Sequence, residues 1–258
     1  MKDDTPGYIF RRFERLCLVL ATTSDNIWRG SVEGLDMHIF DWFSMIGTVA
    51  FAVSGAIVAM EEGYDILGVL VLGLVTAFGG GVIRNVLIGV PVTTLWSQGS
   101  LIMLAVISVA IAFILPLSWI THWRRTEVFF DAIGLAAFAI QGALYATQMN
   151  HPLIAAIVAG VMTGIGGGII RDILAGRKPL VLRDEIYAVW AMVGGFMVGT
   201  GFTKTPSQLI ILFTGIVLFR MLSVYYKWKL PRRALDTGSS GTTAVAKPKR
   251  DYADWGTP

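Results

Sequence analysis

The segment GGGVIRNVLIG, Gly79–Gly89, returns as GGGIIRDILAG, Gly166–Gly176. Each copy lies in an apolar run long enough to cross a bilayer, and few folds can hold three consecutive glycines and an arginine at that depth twice. The same offset of 87 residues lays IGTVAFAVSGA (46–56) on IGLAAFAIQGA (133–143), Gly73 on Gly160 and Thr76 on Thr163. Between 46 and 90, 18 of 45 positions are identical to their partners without a gap, so the chain contains an internal duplication.

Lipid is the solvent for most of this chain. Of its 258 residues 54% are hydrophobic and 15% charged, whereas a soluble domain carries about 25% charged residues. Seven spans are predicted, at about 40–60, 66–88, 99–118, 128–147, 153–175, 186–203 and 207–226, each close to the ~20 residues a crossing needs. The transmembrane domain is therefore 37–226, with repeat one at 40–118, repeat two at 128–203 and a seventh helix at 207–226. The fold class is an all-α polytopic membrane protein. Three spans per unit is an odd number, so the second unit enters from the opposite face and the duplication is an inverted 3+3 repeat plus one helix.

Residues 1–36 form an N-terminal extension, peripheral or disordered; its apolar run LCLVLA is too short to span, and Met37 is an alternative start. Residues 227–258 read as a basic, disordered cytoplasmic tail. Lys227, Lys229, Arg232 and Arg233, Arg124 and Arg125, and Arg177, Lys178 and Arg183 fall on one side of a seven-span topology. That side is cytoplasmic by the positive-inside rule, which puts the N-terminus outside, in the bacterial plasma (inner) membrane. With a net charge of only +3 and its basic residues beside the spans, the chain suits lipid headgroups and not nucleic acid. One cysteine, three scattered histidines and no HExxH, Walker-type loop or Ser/His/Asp spacing leave no enzyme, cofactor or metal site to argue for.

Each glycine of a GGG run weakens a helix by roughly 0.8–1 kcal/mol relative to alanine. One reading is that the runs only permit close helix packing. Their symmetric recurrence favours another, in which spans 2 and 5 break there and bare backbone dipoles face protein or water. Unwound carbonyls at Gly79, Gly80, Gly81, Gly166, Gly167 and Gly168, with the hydroxyls of Thr76 and Thr163, would then form a polar constriction. The repeat equivalents Ser54 and Gln141 either line a wet cavity or bond to a neighbouring helix.

Arg84 and Arg171 each cost at least ~2.5 kcal/mol at mid-helix depth unless partnered. The topology predicts an Asp41–Arg84 contact near one face and an Asp131–Arg171 contact near the other, assisted by the repeat equivalents Asn85 and Asp172. The alternative is that both arginines snorkel to headgroups, as Arg220 is expected to do. Glu61, Glu62 and Asp65 make the first loop acidic, and tryptophans including Trp42, Trp96 and Trp228 sit at span ends as an aromatic belt requires.

FGGGVIRNVLIGVPV and GIGGGIIRDILAGRKP, with VSGA before the first, resemble the bacterial family known as glycine transporters, which includes the prokaryotic trimeric intracellular cation (TRIC) channels. The resemblance covers about 39–226. It implies a homotrimer with one pore per protomer, lined by glycine-broken helices 2 and 5 and permeable to K+ and, less well, Na+. By position it nominates Gly79, Gly80, Gly81, Arg84, Gly166, Gly167, Gly168 and Arg171. It requires no cofactor beyond the permeant ion, and bound lipid is compatible with it. Three readings stay open: this channel, a secondary transporter of glycine or another small zwitterion, and a non-transporting scaffold.

Overall fold

A computed structural model describes residues 39–115, 126–182 and 186–228. The described residues hold seven α-helices: α1 Ile39–Glu61, α2 Ile66–Leu87, α3 Gly99–Ile114, α4 Thr126–Gln148, α5 Leu153–Leu174, α6 Tyr187–Gly199 and α7 Pro206–Tyr225. Five are long and apolar enough to cross a bilayer, while α3 and α6 are shorter. At 16 and 13 residues, α3 and α6 fall below the predicted spans. They are repeat equivalents, and each follows a 3-10 turn, Val92–Ser97 and Leu180–Leu182, that uses chain the sequence pattern leaves to loops. The extension 1–36 and the tail beyond Trp228 lie outside the described residues.

Local chemistry sets the helix ends. Asp65 caps α2 by accepting from the Gly68 N–H, and Thr205 and Gln208 form a capping box on α7 with Pro206 in its first turn. The last glycine of each motif takes a left-handed conformation just past its helix: Gly89 has φ 75° and Gly176 φ 70°. The next amides then reach back, Val90 to the Asn85 carbonyl and Arg177 to the Asp172 carbonyl, both at 2.8 Å.

Contacts between the repeats come in reciprocal pairs. A Cβ on Gly47 would strike the Phe138 ring, and one on Gly134 would strike the Phe51 ring. Gly80 lies against the Thr163 carbonyl, and Gly167 against the Thr76 carbonyl. Every residue in one contact becomes its counterpart in the other on adding or subtracting 87. Such reciprocity is the signature of a two-fold axis. As the contact position rises in one helix it falls in the other, so α1 runs antiparallel to α4 and α2 to α5. The repeats are therefore inverted, and Phe51 and Phe138, edge to face at 5.3 Å, pack together as equivalents.

The glycine runs do not break their helices. Both α2 and α5 are continuous from end to end, which overturns the expectation of unwound segments at Gly79–Gly81 and Gly166–Gly168. The glycines instead let two backbones touch: a Cβ on Gly166 would stand 3.0 Å from the Gly80 Cα, and one on Gly79 2.7 Å from the Ile170 side chain. Close approach of small residues stabilises helix pairs in lipid. Breaking both helices would strip backbone groups of partners at several kcal/mol each. Buried alanines on α1, α4 and α5 (Ala52, Ala56, Ala139, Ala143, Ala156 and Ala159) extend the same close packing. Helix α7 has no counterpart; Leu209 and Ile216 join it to the core of repeat two.

Candidate functional site

The α2–α5 crossing separates two arginine-centred polar clusters. Both arginines sit near the C-termini of antiparallel helices, so the clusters lie towards opposite ends of the bundle.

In the first, Arg171 is fully buried. Its Nη1 donates to Asp131 Oδ1 at 3.0 Å and to Ser54 Oγ at 2.5 Å, and its Nε donates to Asp172 Oδ1 at 2.9 Å. Glu127 stands 3.4 Å from Nη2. The free oxygen of Asp172 accepts from the Leu180 N–H at 2.9 Å, which ties the 3-10 turn to α5. One guanidinium thus faces three carboxylates, and the predicted Asp131–Arg171 contact is present. A second layer reaches the surface: Arg177 donates to Glu62 at 2.5 Å and to Glu61 at 2.9 Å, and lies 3.6 Å from Glu127. Burial opposes the charge on Arg177, but its hydrogen bonds to Glu62 and Glu61 hold its pKa above the ordinary arginine value. The acidic first loop is therefore clasped to the end of α5, where Tyr64 also donates to the Leu174 carbonyl at 2.8 Å.

The second cluster repeats the geometry without the acids. Arg84 is 3% exposed. It donates to Asn85 Oδ1 through Nε and Nη2, at 3.1 and 2.8 Å, and to Gln141 Oε1 at 2.9 Å. Its guanidinium lies 4.4 Å above the Tyr145 ring. Gln141 in turn donates to Ser44 at 3.2 Å, and Asn85 to Thr94 at 3.1 Å. Among the described residues Arg84 makes no ion pair. Asp41 is exposed, so the predicted Asp41–Arg84 contact does not form. The chain places an amide, Gln141, where a carboxylate was expected.

A cavity of about 30 Å³ opens beside Arg84, with Ser44, Thr48, Gly81, Asn85, Gln141 and Thr163 in its wall and Phe138 against it. That volume holds about two waters. Beyond it the crossing is tight: Thr76, Thr163 and Phe51 are buried, and Gly167 abuts both Phe51 and Thr76. The hydroxyls of Thr76 and Thr163 donate to Leu72 and Ala159 carbonyls one turn back, at 2.6 Å each.

Of the residues singled out in the sequence, Gly81, Arg84, Asn85, Gln141 and Thr163 meet at the cavity. Ser54, Asp131, Arg171 and Asp172 meet in the other cluster, with Gly168 beside Asp131. Gly79, Gly80, Gly166, Gly167 and Thr76 are held in the crossing. Neither motif arginine snorkels. Nor does Arg220, which is fully buried 4.7 Å from the Tyr187 ring. Sequence reasoning missed Glu127, Tyr145 and Tyr187. It also missed that Ser54 and Gln141 partner the arginines crosswise, each on the opposite repeat's guanidinium. That exchange was implicit in an inverted repeat, because a contact from 84 to 141 entails one from 171 to 54.

The family model described as Glycine transporter matches residues 41–116 and 128–201. The chain is 60% identical over 195 residues to the UPF0126 membrane protein YvgT of Bacillus subtilis (strain 168), covering 76% of this chain and 96% of that one. It is 36% identical over 203 residues to the UPF0126 inner membrane protein YadS of Escherichia coli (strain K12), again covering 76% and 96%. Among solved structures, one reported for the basis of conductance through TRIC cation channels superposes with a TM-score of 0.66 at 40% identity, over 76% of this chain and 98% of that one.

Proposed function

This chain belongs to the glycine-transporter family, with the prokaryotic TRIC channels among its relatives, and from that membership we propose that it is a homotrimeric, K+-permeable cation channel with one pore in each protomer, Na+ passing less well. The observation that carries the reading is the pair of arginine-centred polar clusters at opposite ends of one glycine crossing, in a chain 40% identical to a solved cation channel. The ion path runs from the cavity beside Arg84, past Thr163 and the Phe51–Phe138 pair, to the carboxylates around Arg171. In the described conformation the crossing closes it. Opening requires α2 and α5 to part at Gly80 and Gly167 as whole helices. The Thr76 and Thr163 carbonyls, now packed against those glycines, would then face the gap and replace part of the hydration shell of a cation. The Asp131–Arg171 and Gln141–Arg84 contacts brace the two helices at either end.

Flow through such a pore is passive. With Arg177, Lys178 and Lys227 on the cytoplasmic side, the N-terminus lies outside and the C-terminus inside, in the bacterial plasma membrane, where basic residues at the span ends meet lipid headgroups. A transporter of glycine is less well supported, since a cavity for about two waters is small for a molecule of five heavy atoms.

Recording from purified protein in a planar bilayer tests the reading. Unitary currents are expected in KCl, reversing near the K+ equilibrium potential across a gradient. Absence of current with saturable glycine counterflow would replace the channel by a transporter, and absence of both would overturn transport altogether.

A further inference from the structure

The two clusters are built alike but charged differently, and the difference falls at two positions. Where Arg171 meets Asp131 and Asp172, the equivalent positions around Arg84 are Ser44 and Asn85. Around Arg171 the space between these groups is closed by the carboxylates themselves, with Asp131 fully buried and Asp172 3% exposed. Around Arg84 the same two positions, Ser44 and Asn85, are walls of the 30 Å³ cavity. The cavity therefore lies where the sister cluster keeps its negative charge.

A guanidinium removed from water needs a counter-charge, and nothing among the described residues supplies one to Arg84. The amide oxygens of Asn85 and Gln141 and the face of Tyr145 offer partial charge only. They also leave the guanidinium with further N–H groups, since three of its five are used in those bonds. Hydroxyls of Ser44, Thr48 and Thr163 complete a wall able to donate to a small acceptor. We propose that this cavity binds a small monovalent anion of halide size, chloride under ordinary conditions, as the counter-ion of Arg84. A halide is little larger than a water, and the cavity holds about two waters. The bound anion does for Arg84 what Asp131 and Asp172 do for Arg171. In a cation path it would also cancel the positive charge that otherwise repels the permeant ion. The binding claim stands without the channel reading, because its test needs no current.

The test uses the full-length protein purified in gluconate and titrated with bromide at constant ionic strength. Bromide is expected to raise the melting temperature saturably, and crystals grown in bromide should show an anomalous peak within hydrogen-bond distance of the Arg84 guanidinium. Ser44→Asp, which copies the Asp131 position into this cluster, should abolish both the shift and the peak; Asn85→Asp, copying Asp172, serves if Ser44→Asp does not fold. The proposal is overturned if well-diffracting bromide crystals show no peak in the cavity. It is equally overturned if the thermal shift persists undiminished in a folded carboxylate variant.

Discussion

Alanine substitution at Gly80 and at its neighbour Gly81 should move stability in opposite directions. By helix propensity alone, either change favours the helix by about 0.5–1 kcal/mol. At Gly81 nothing opposes the gain: an added Cβ would meet only the Arg84 Nη2, at 3.9 Å. At Gly80 the Cβ would press on the Thr163 carbonyl, with the Thr163 carbonyl carbon at 3.1 Å and the Gly167 nitrogen at 3.2 Å. All three are backbone atoms of a buried helix and cannot rotate away, so α2 and α5 must separate. Overpacking of this kind costs about 1–3 kcal/mol. It exceeds the propensity gain, which leaves Gly80→Ala destabilised by about 1–2 kcal/mol and Gly81→Ala stabilised by up to about 1. Gly167→Ala, pressing on Thr76 from the other repeat, should match Gly80→Ala. Reversible unfolding in mixed micelles, with the three variants side by side, measures the difference. If all three gain stability alike, the glycines serve helix flexibility and not backbone contact, and the packing argument is wrong.

Charge reversal by Asp131→Arg should be severe, since breaking a buried pair costs about 3–5 kcal/mol. Combining it with Arg171→Asp should restore folded yield on size-exclusion chromatography, because Asp172 and Glu127 remain to hold an arginine from the other helix; no recovery would argue against direct pairing. Phe51→Ala and Phe138→Ala should each lose about 3–5 kcal/mol and by similar amounts, as equivalents across the two-fold axis; thermal unfolding yielding very unequal losses would count against that axis. Arg177→Ala removes bonds to partly exposed Glu61 and Glu62, so it should cost no more than ~1 kcal/mol, diminishing as salt is added.

The comparison of Arg84 with Arg171 shows how far the residue string carries. Both arginines could be found from the 87-residue offset, and so could the inversion of the repeats, because hydrophobic run length and the parity of spans follow from composition along the chain. The Asp131–Arg171 pair was also legible, since depth in the membrane is set by position along a helix. Depth gave the wrong partner for Arg84. Asp41 shares its level but points out of the bundle, and which way a side chain points depends on the rotation of its helix against its neighbours. The mutual placement of Phe51 and Phe138, the reach of Glu127 towards Arg171, and the stacking of Arg220 on Tyr187 are likewise matters of helix rotation and close approach.

The glycine runs mark the boundary most clearly. Their sequence demands that something unusual happen at mid-helix, either a break or a contact too close for any side chain. Propensity does not distinguish these, because glycine lowers the cost of both. What decided between them was the partner helix. A second backbone lying against Gly80 and Gly167 keeps every helical hydrogen bond and gains packing besides, whereas a break would leave polar groups to be satisfied by other means. The sequence by itself determined the membrane fold, its duplication and the residues at stake; only the tertiary arrangement, through the axis that sets one repeat against the other, decided what those residues touch.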